Sequence, residues 1–175
     1  MDNAFKWDMH SGGICSEESY PYVGIKGWFN RCEPRKSECD VIDHTEVDYF
    51  IDVNHTHTHL KKAISKQPVS VGIEADQQGF QFYKSGVFDD PDCGVDVDHG
   101  VLAVGYGTED NTDFYLIKNS WGATWGDNGF IKISRKNPNN GKNEGQCGIL
   151  TYASRPTLKD NEQNPKVSAD MLRSQ

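Results

Sequence analysis

A histidine and an asparagine placed to share a proton-transfer task stand out in this chain. His99 follows Val97-Asp98 and opens the apolar run Gly100-Val101-Leu102-Ala103-Val104-Gly105-Tyr106-Gly107. Asn119 ends Tyr115-Leu116-Ile117-Lys118 and is followed at once by Ser120-Trp121-Gly122. If the two runs are strands paired as a hairpin-like unit, both residues meet at one rim. Asparagine does not ionise, so it cannot tune the charge of an imidazole directly. Its amide oxygen can accept a hydrogen bond from one ring nitrogen and fix tautomer and orientation. The other ring nitrogen then faces a nucleophile. Trp121 can shield that bond from water. Trp125 heads a third stretch, Gly126-Asp127-Asn128-Gly129-Phe130-Ile131.

The elements that must position these residues follow from periodicity. Residues 2–11 are expected to form a helix, with Phe5 and Met9 four apart on one face and Gly12-Gly13 ending it. Residues 19–29 read as an irregular aromatic loop, and residues 31–46 as a polar stretch stapled by cysteines. Val47–Val53 alternates partly and suits a strand. Leu60, Ala63 and Ile64 give a short helical face that must stop before Pro68. Val69–Ile73 alternates as a strand, Phe80 and Tyr83 suggest a helical turn closed by Gly86, and strand-like segments follow at 100–107, 114–119 and 129–134. A helix, a stapled loop and then mostly antiparallel strands make an α+β pattern. From Pro156 onward the chain is polar and aperiodic, and residues 158–175 are expected to be a flexible tail.

The three stretches around His99, Asn119 and Trp125 resemble the histidine and asparagine motifs of the papain family of cysteine proteases, cathepsin L-like in character. Met1-Asp2-Asn3-Ala4-Phe5 resembles the segment just after that family's Cys-Asn-Gly-Gly motif. Ser16-Glu17-Glu18-Ser19-Tyr20-Pro21-Tyr22 and Gln67-Pro68-Val69-Ser70-Val71 fit as well. The resemblance spans residues 1–157. It implies a two-lobe α+β peptidase with the β-rich lobe, residues 47–157, nearly complete, and residues 1–46 a remnant of the helical lobe. By resemblance His99 is the general base and ion-pair partner, Asn119 its orienting residue, Trp121 the ring over their bond, and Trp125 a wall on the leaving-group side. Met1, Gly72, Val97, Asp98 and Tyr152 fall at substrate-binding positions, with a preference for apolar side chains two before the scissile bond. Substrates would be peptides or proteins, cystatin-like inhibitors would be partners, and no cofactor or metal is implied.

In this family the histidine and asparagine lie roughly 130–150 residues after the nucleophilic cysteine. Counting back from His99 passes Met1, and none of Cys15, Cys32, Cys39, Cys93 and Cys147 stands in a Cys-Gly-Ser-Cys-Trp-like context. The chain is therefore expected to lack the nucleophile and to be inactive alone. Cys93 and Cys147 resemble a family disulfide, and Cys32 a cysteine whose partner lies upstream. Cys15 and Cys39 are open to pairing with each other or elsewhere. The alternative is a non-catalytic homologue acting as a binding or structural protein. A transglutaminase-like Cys–His hydrolase is disfavoured, because that fold wants an acidic third member.

Other features point to less. His55, His57 and His59 alternate, and would converge on a metal only in an extended segment; without a carboxylate or cysteine to complete a site, a solvated loop before the Leu60 helix is expected. Asn54-His55-Thr56 is a glycosylation sequon, and Asp89-Asp90-Pro91-Asp92 reads as a solvated turn. The 175 residues carry 35% hydrophobic residues and a formal charge of −8, with no basic stripe of the kind nucleic acid demands. No apolar run is long enough for a membrane span and no secretory signal is visible at Met1. The widely spaced cysteines suit an oxidising compartment. The resemblance implies a lysosomal, vacuolar or secreted whole protein.

Overall fold

A computed structural model describes residues 1–22, 39–136 and 143–159 of the chain. Cys32, most of the aromatic loop at 19–29, part of the 31–46 stretch and all but two residues of the 158–175 tail lie outside the described residues. The chain divides into two compact units, Asp2–Phe50 with the segment from Pro156, and Met1 with Ile51–Arg155.

The first unit carries α1 (Asp2–Ser11), ended by Gly12 and Gly13 at φ +72° and +106°, where glycine meets no steric penalty. No residue of α1 is buried; Phe5 stacks on Phe50 at 5.9 Å, and Trp7 is exposed. Cys15 pairs with Cys39, settling a pairing that sequence left open. A small antiparallel bridge between Cys15 and Val41 accompanies it, with Ser16 N–H donating to Asp40 O.

Strands β1 (Val47–Asp52), β2 (Val69–Ile73), β3 (Val87–Phe88), β4 (His99–Glu109), β5 (Thr112–Lys118), β6 (Phe130–Ser134) and β7 (Ala153–Leu158) form one sheet in the order β1-β7-β2-β4-β5-β6-β3. β2 pairs antiparallel with β4 and β7, β5 pairs antiparallel with β4 and β6, and β3 runs parallel to β6. β4 and β5 are joined by Asp110-Asn111, both at positive φ (+47° and +59°), as a two-residue type I′ hairpin requires. The β4–β5 register shifts between Ala103 and Gly105, a bulge that puts one extra residue on β4.

The core is one cluster. Val69, Val71 and Ile73 of β2, Val101 and Ala103 of β4, Tyr115 and Ile117 of β5, and Ile131 and Ile133 of β6 are all buried. Each row is the inward half of a period-two alternation. Helix α2 (His57–Ile64) adds Leu60, Ala63 and Ile64. Fully burying side chains of this size stabilises by about 1.5–3 kcal/mol each for the larger aliphatics. Helix α3 (Gln78–Gln81) buries Phe80.

Three sequence expectations change. α2 begins at His57, not Leu60, because Thr56 caps it: the Thr56 hydroxyl accepts from His59 N–H at 3.2 Å. His57 and His59 therefore lie in a helix, two residues and about 200° apart, pointing to opposite sides rather than to one metal. His57 stacks on Tyr115 and shares a 3.1 Å hydrogen bond with its hydroxyl. β7 continues through Pro156 to Leu158, where sequence suggested loss of regularity. Finally, two-residue β3 was not foreseen. Its neighbouring acidic run is a turn in which Asp92 N–H donates to Asp90 Oδ1 and Asp89 pairs with Lys136. Among the described residues no helix is long and apolar enough to cross a membrane.

Candidate active site

His99 and Asn119 are the next members of two core-facing rows. On β4 the inward series runs Ala103, Val101, His99; on β5 it runs Tyr115, Ile117, Asn119. Ala103 pairs with Ile117, so continuing that register sets Asn119 opposite Val101 and diagonal to His99. The side chains meet there: His99 Nε2 lies 2.9 Å from Asn119 Oδ1. Asn119 is 7% exposed and His99 is half-buried.

The amide orientation is fixed by its surroundings. Ser120 N–H donates to the same Oδ1 at 2.8 Å. Flipping the amide would turn Nδ2, a donor, onto an N–H donor. Oδ1 must therefore face both, so His99 Nε2 carries the hydrogen and Nδ1 is left as the basic nitrogen in the neutral ring. Asn119 Nδ2 is buried and has no hydrogen-bond partner among the described residues. The Asn119 backbone is pinned as well, its N–H donating to Gly129 O at 2.9 Å.

Trp121 lies against this pair, its ring 5.1 Å from the imidazole, and is 40% exposed. It meets Trp125 at 5.3 Å and Phe80 at 5.6 Å, both edge to face, and Phe80 meets Trp125 at 5.2 Å. Aromatic pairs of this kind contribute about 0.5–1.5 kcal/mol beyond their buried area. Trp125 Nε1–H donates to Gln81 O at 2.9 Å, tying the 120–129 loop to α3. Gly126 makes the close turn possible: it sits at φ +57°, and a Cβ there would come within 2.5 Å of Phe130 O. Sequence reading saw Phe80 only as part of a helical turn. Its place in the sequence gave no hint that it buttresses two tryptophans.

The residues foreseen for substrate binding are partly gathered. Gly72 N–H donates to Tyr152 O at 2.8 Å, and a Cβ on Gly72 would meet Val97 Cγ1 at 2.7 Å and Tyr152 Cβ at 3.4 Å. Gly72, Val97 and Tyr152 thus form one wall, with Tyr152 60% exposed. Asp98 follows directly, but its carboxylate is engaged: Oδ1 accepts from Ala75 N–H at 2.9 Å. Met1 is exposed and precedes α1. Cys93 is bonded to Cys147. All four described cysteines are in disulfides, so no described thiol stands opposite His99.

A histidine held by an asparagine oxygen, with a tryptophan ring against the pair, is an arrangement that a general base in a nucleophilic hydrolase could use. The comparisons give the family. Residues 1–157 match a profile described as papain family cysteine protease, and the chain belongs to that family. It is 42% identical over 170 residues to probable cysteine protease RD21C of Arabidopsis thaliana, covering 97% of this chain and 36% of that protein. It is 44% identical over 163 residues to cathepsin L of Sarcophaga peregrina, covering 90% of this chain and 44% of that one. The crystal structure of the Carica candamarcensis cysteine protease CMS1MS2 in complex with E-64 superposes with a TM-score of 0.75 at 36% identity, covering 89% of this chain and 67% of that chain. The chain thus spans less than half the length of these two curated relatives.

Proposed function

We propose that the protein containing this chain is a cysteine endopeptidase, that His99 is its general base and Asn119 the residue orienting it, and that the nucleophilic cysteine lies outside residues 1–175. The carrying observation is Asn119 Oδ1, which accepts from Ser120 N–H and His99 Nε2 together and so leaves His99 Nδ1 as the free basic nitrogen.

In this reading Nδ1 takes the thiol proton. The thiolate attacks the peptide carbonyl carbon, and the resulting imidazolium gives its proton to the departing amine as the C–N bond breaks. Water then attacks the thioester with Nδ1 as base, releasing the acid and restoring the thiolate. Asn119 holds the ring through both proton transfers. Trp121 keeps water from competing for the Nε2 hydrogen bond. Trp125 would flank the leaving group, and Gly72, Val97, Asp98, Tyr152 and Met1 would line substrate subsites. Peptides with an apolar residue two before the scissile bond would be preferred. Cystatin-like inhibitors are the expected partners. Two disulfides support a lysosomal, vacuolar or secreted setting.

The test compares the complete reading frame with residues 1–175 alone, using a fluorogenic dipeptide substrate and an epoxide thiol label. The complete protein should turn over substrate and lose activity on labelling, and residues 1–175 should do neither. Turnover insensitive to the label, or label-sensitive turnover by residues 1–175, would overturn the proposal.

A further inference from the structure

Glu74 is a carboxylate in an unusual place. It follows the last residue of β2, is 6% exposed, and has no Lys, Arg or His paired with it among the described residues. Burying a carboxylate without a cation costs several kcal/mol unless N–H donors replace the lost water. Here they do. Asp96 N–H donates to Oε2 at 2.5 Å and Gln77 Nε2–H to Oε1 at 2.8 Å. Gly94 lies against the same carboxylate so closely that a Cβ would come within 2.4–2.5 Å of both oxygens.

Two of these three contacts, Gly94 and Asp96, fall on the segment that leads into His99. That segment starts at Cys93, held by its disulfide to Cys147, whose carbonyl accepts from Glu74 N–H at 2.9 Å. It ends at Asp98, whose N–H donates to Ile73 O at 3.1 Å and whose Oδ1 accepts from Ala75 N–H. Residues 73–75 therefore hold the loop at Cys93, Asp96 and Asp98 in turn. The middle hold is charge-assisted, and such bonds are roughly twice as strong as neutral ones. His99 itself pairs with Ile73 across the ladder. A loop slack at Asp96 would leave the segment before His99 held only at its two ends, Cys93 and Asp98.

We infer that Glu74 is a positioning residue: its buried carboxylate clamps the Cys93–Asp98 loop and so sets His99 at the height and angle where Nδ1 meets the nucleophile. It touches neither substrate nor the reacting atoms. The inference rests on the endopeptidase reading, and extends it to a residue that carries no chemistry of its own.

The experiment uses the complete protease, with Glu74→Gln and Gly94→Ala as variants. The glutamine keeps the shape but turns an amide N–H2 toward one of two donors. The alanine pushes the carboxylate off the loop while leaving it charged. Each is read at 10 °C below its own Tm for kcat, KM and the rate of thiol alkylation by iodoacetamide at fixed pH. Ile133→Val, in the β6 core, serves as a variant that loses stability without touching the clamp. A misplacement of the order of 1 Å costs up to about 100-fold. The expected result is a fall of roughly 10- to 100-fold in kcat and a parallel fall in alkylation rate, with KM within about threefold, for both clamp variants and not for Ile133→Val. Wild-type kcat and alkylation rate in either folded variant, or a change confined to KM, would overturn the positioning role while leaving the protease reading intact. A complete wild-type protein without thiol-dependent turnover would overturn both.

Discussion

Removing the amide of Asn119 is the sharpest perturbation the geometry offers. In Asn119→Ala, made in the complete protein, His99 Nε2–H loses an acceptor at 2.9 Å and Ser120 N–H loses one at 2.8 Å. An unmet donor at a buried position costs about 1–3 kcal/mol. Only the first loss bears on the chemistry, because only the imidazole must be held during proton transfer. Taking about 2 kcal/mol for a half-buried ring, and about 1.36 kcal/mol per tenfold in rate, kcat should fall roughly 30-fold. The second loss bears on folding and should lower Tm by a few degrees without further effect on rate. Asn119→Asp keeps an acceptor at the same place and should retain more kcat than the alanine variant. Steady-state kinetics with a fluorogenic dipeptide, run beside thermal melts, separates the two effects. If Asn119→Ala is folded and its kcat stays within twofold of wild type, or the loss appears only in KM, the orienting role is wrong.

Three further outcomes follow from particular contacts. Gly72→Ala places a methyl 2.7 Å from Val97 Cγ1 before relaxation, so KM should rise several-fold for peptides with a large apolar residue two before the scissile bond and stay level for alanine there; a panel of dipeptide substrates reads this. Thr56→Ala removes the cap of α2 and should cost about 1 kcal/mol, or roughly 2–4 °C in Tm, with kcat unchanged. Burial pushes the Tyr115 phenol well above its ordinary value, against the lowering effect of the Arg135 charge. A raised value means that its stabilising effect is complete below the unfolded pKa of about 10 and is lost as pH rises beyond it. The stability gap between wild type and Tyr115→Phe should therefore narrow above about pH 10, which denaturant melts from pH 8 to pH 11 will show.

The strands were legible because their inward residues alternate without interruption, Val69-Val71-Ile73 and Tyr115-Ile117 above all. The meeting of His99 with Asn119 was legible for the same reason, since each extends such a row by one step. What sequence could not show were features fixed by long-range approach. The start of α2 depended on recognising Thr56 as a cap within a run of alternating histidines. β3 is two residues long and exists only because Lys132 and Ile133 pass beside Val87 and Phe88. Phe80 looks like any buried aromatic until Trp121 and Trp125 are placed around it. Glu74 looks like the polar end of a strand; its burial arises from Gly94 and Asp96, some twenty residues on, closing over it. The Cys15–Cys39 bond likewise needed three-dimensional proximity, since spacing alone admits other partners.

The Asp110-Asn111 turn has a consequence for the order in which this protein is made. It joins β4 to β5 with only two residues, so His99 and Asn119 are brought together by contacts local in the chain, with little loop entropy to overcome. The wall beside them is different: Gly72 waits for Tyr152, and β2 gains its β7 neighbour only when Ala153 arrives. On a ribosome, the hairpin holding His99 and Asn119 can close soon after Asn119 emerges, while the Gly72–Val97–Tyr152 wall must await residues about thirty positions later. The His99–Asn119 pairing is thus available to the nascent chain before the Gly72–Tyr152 contact is.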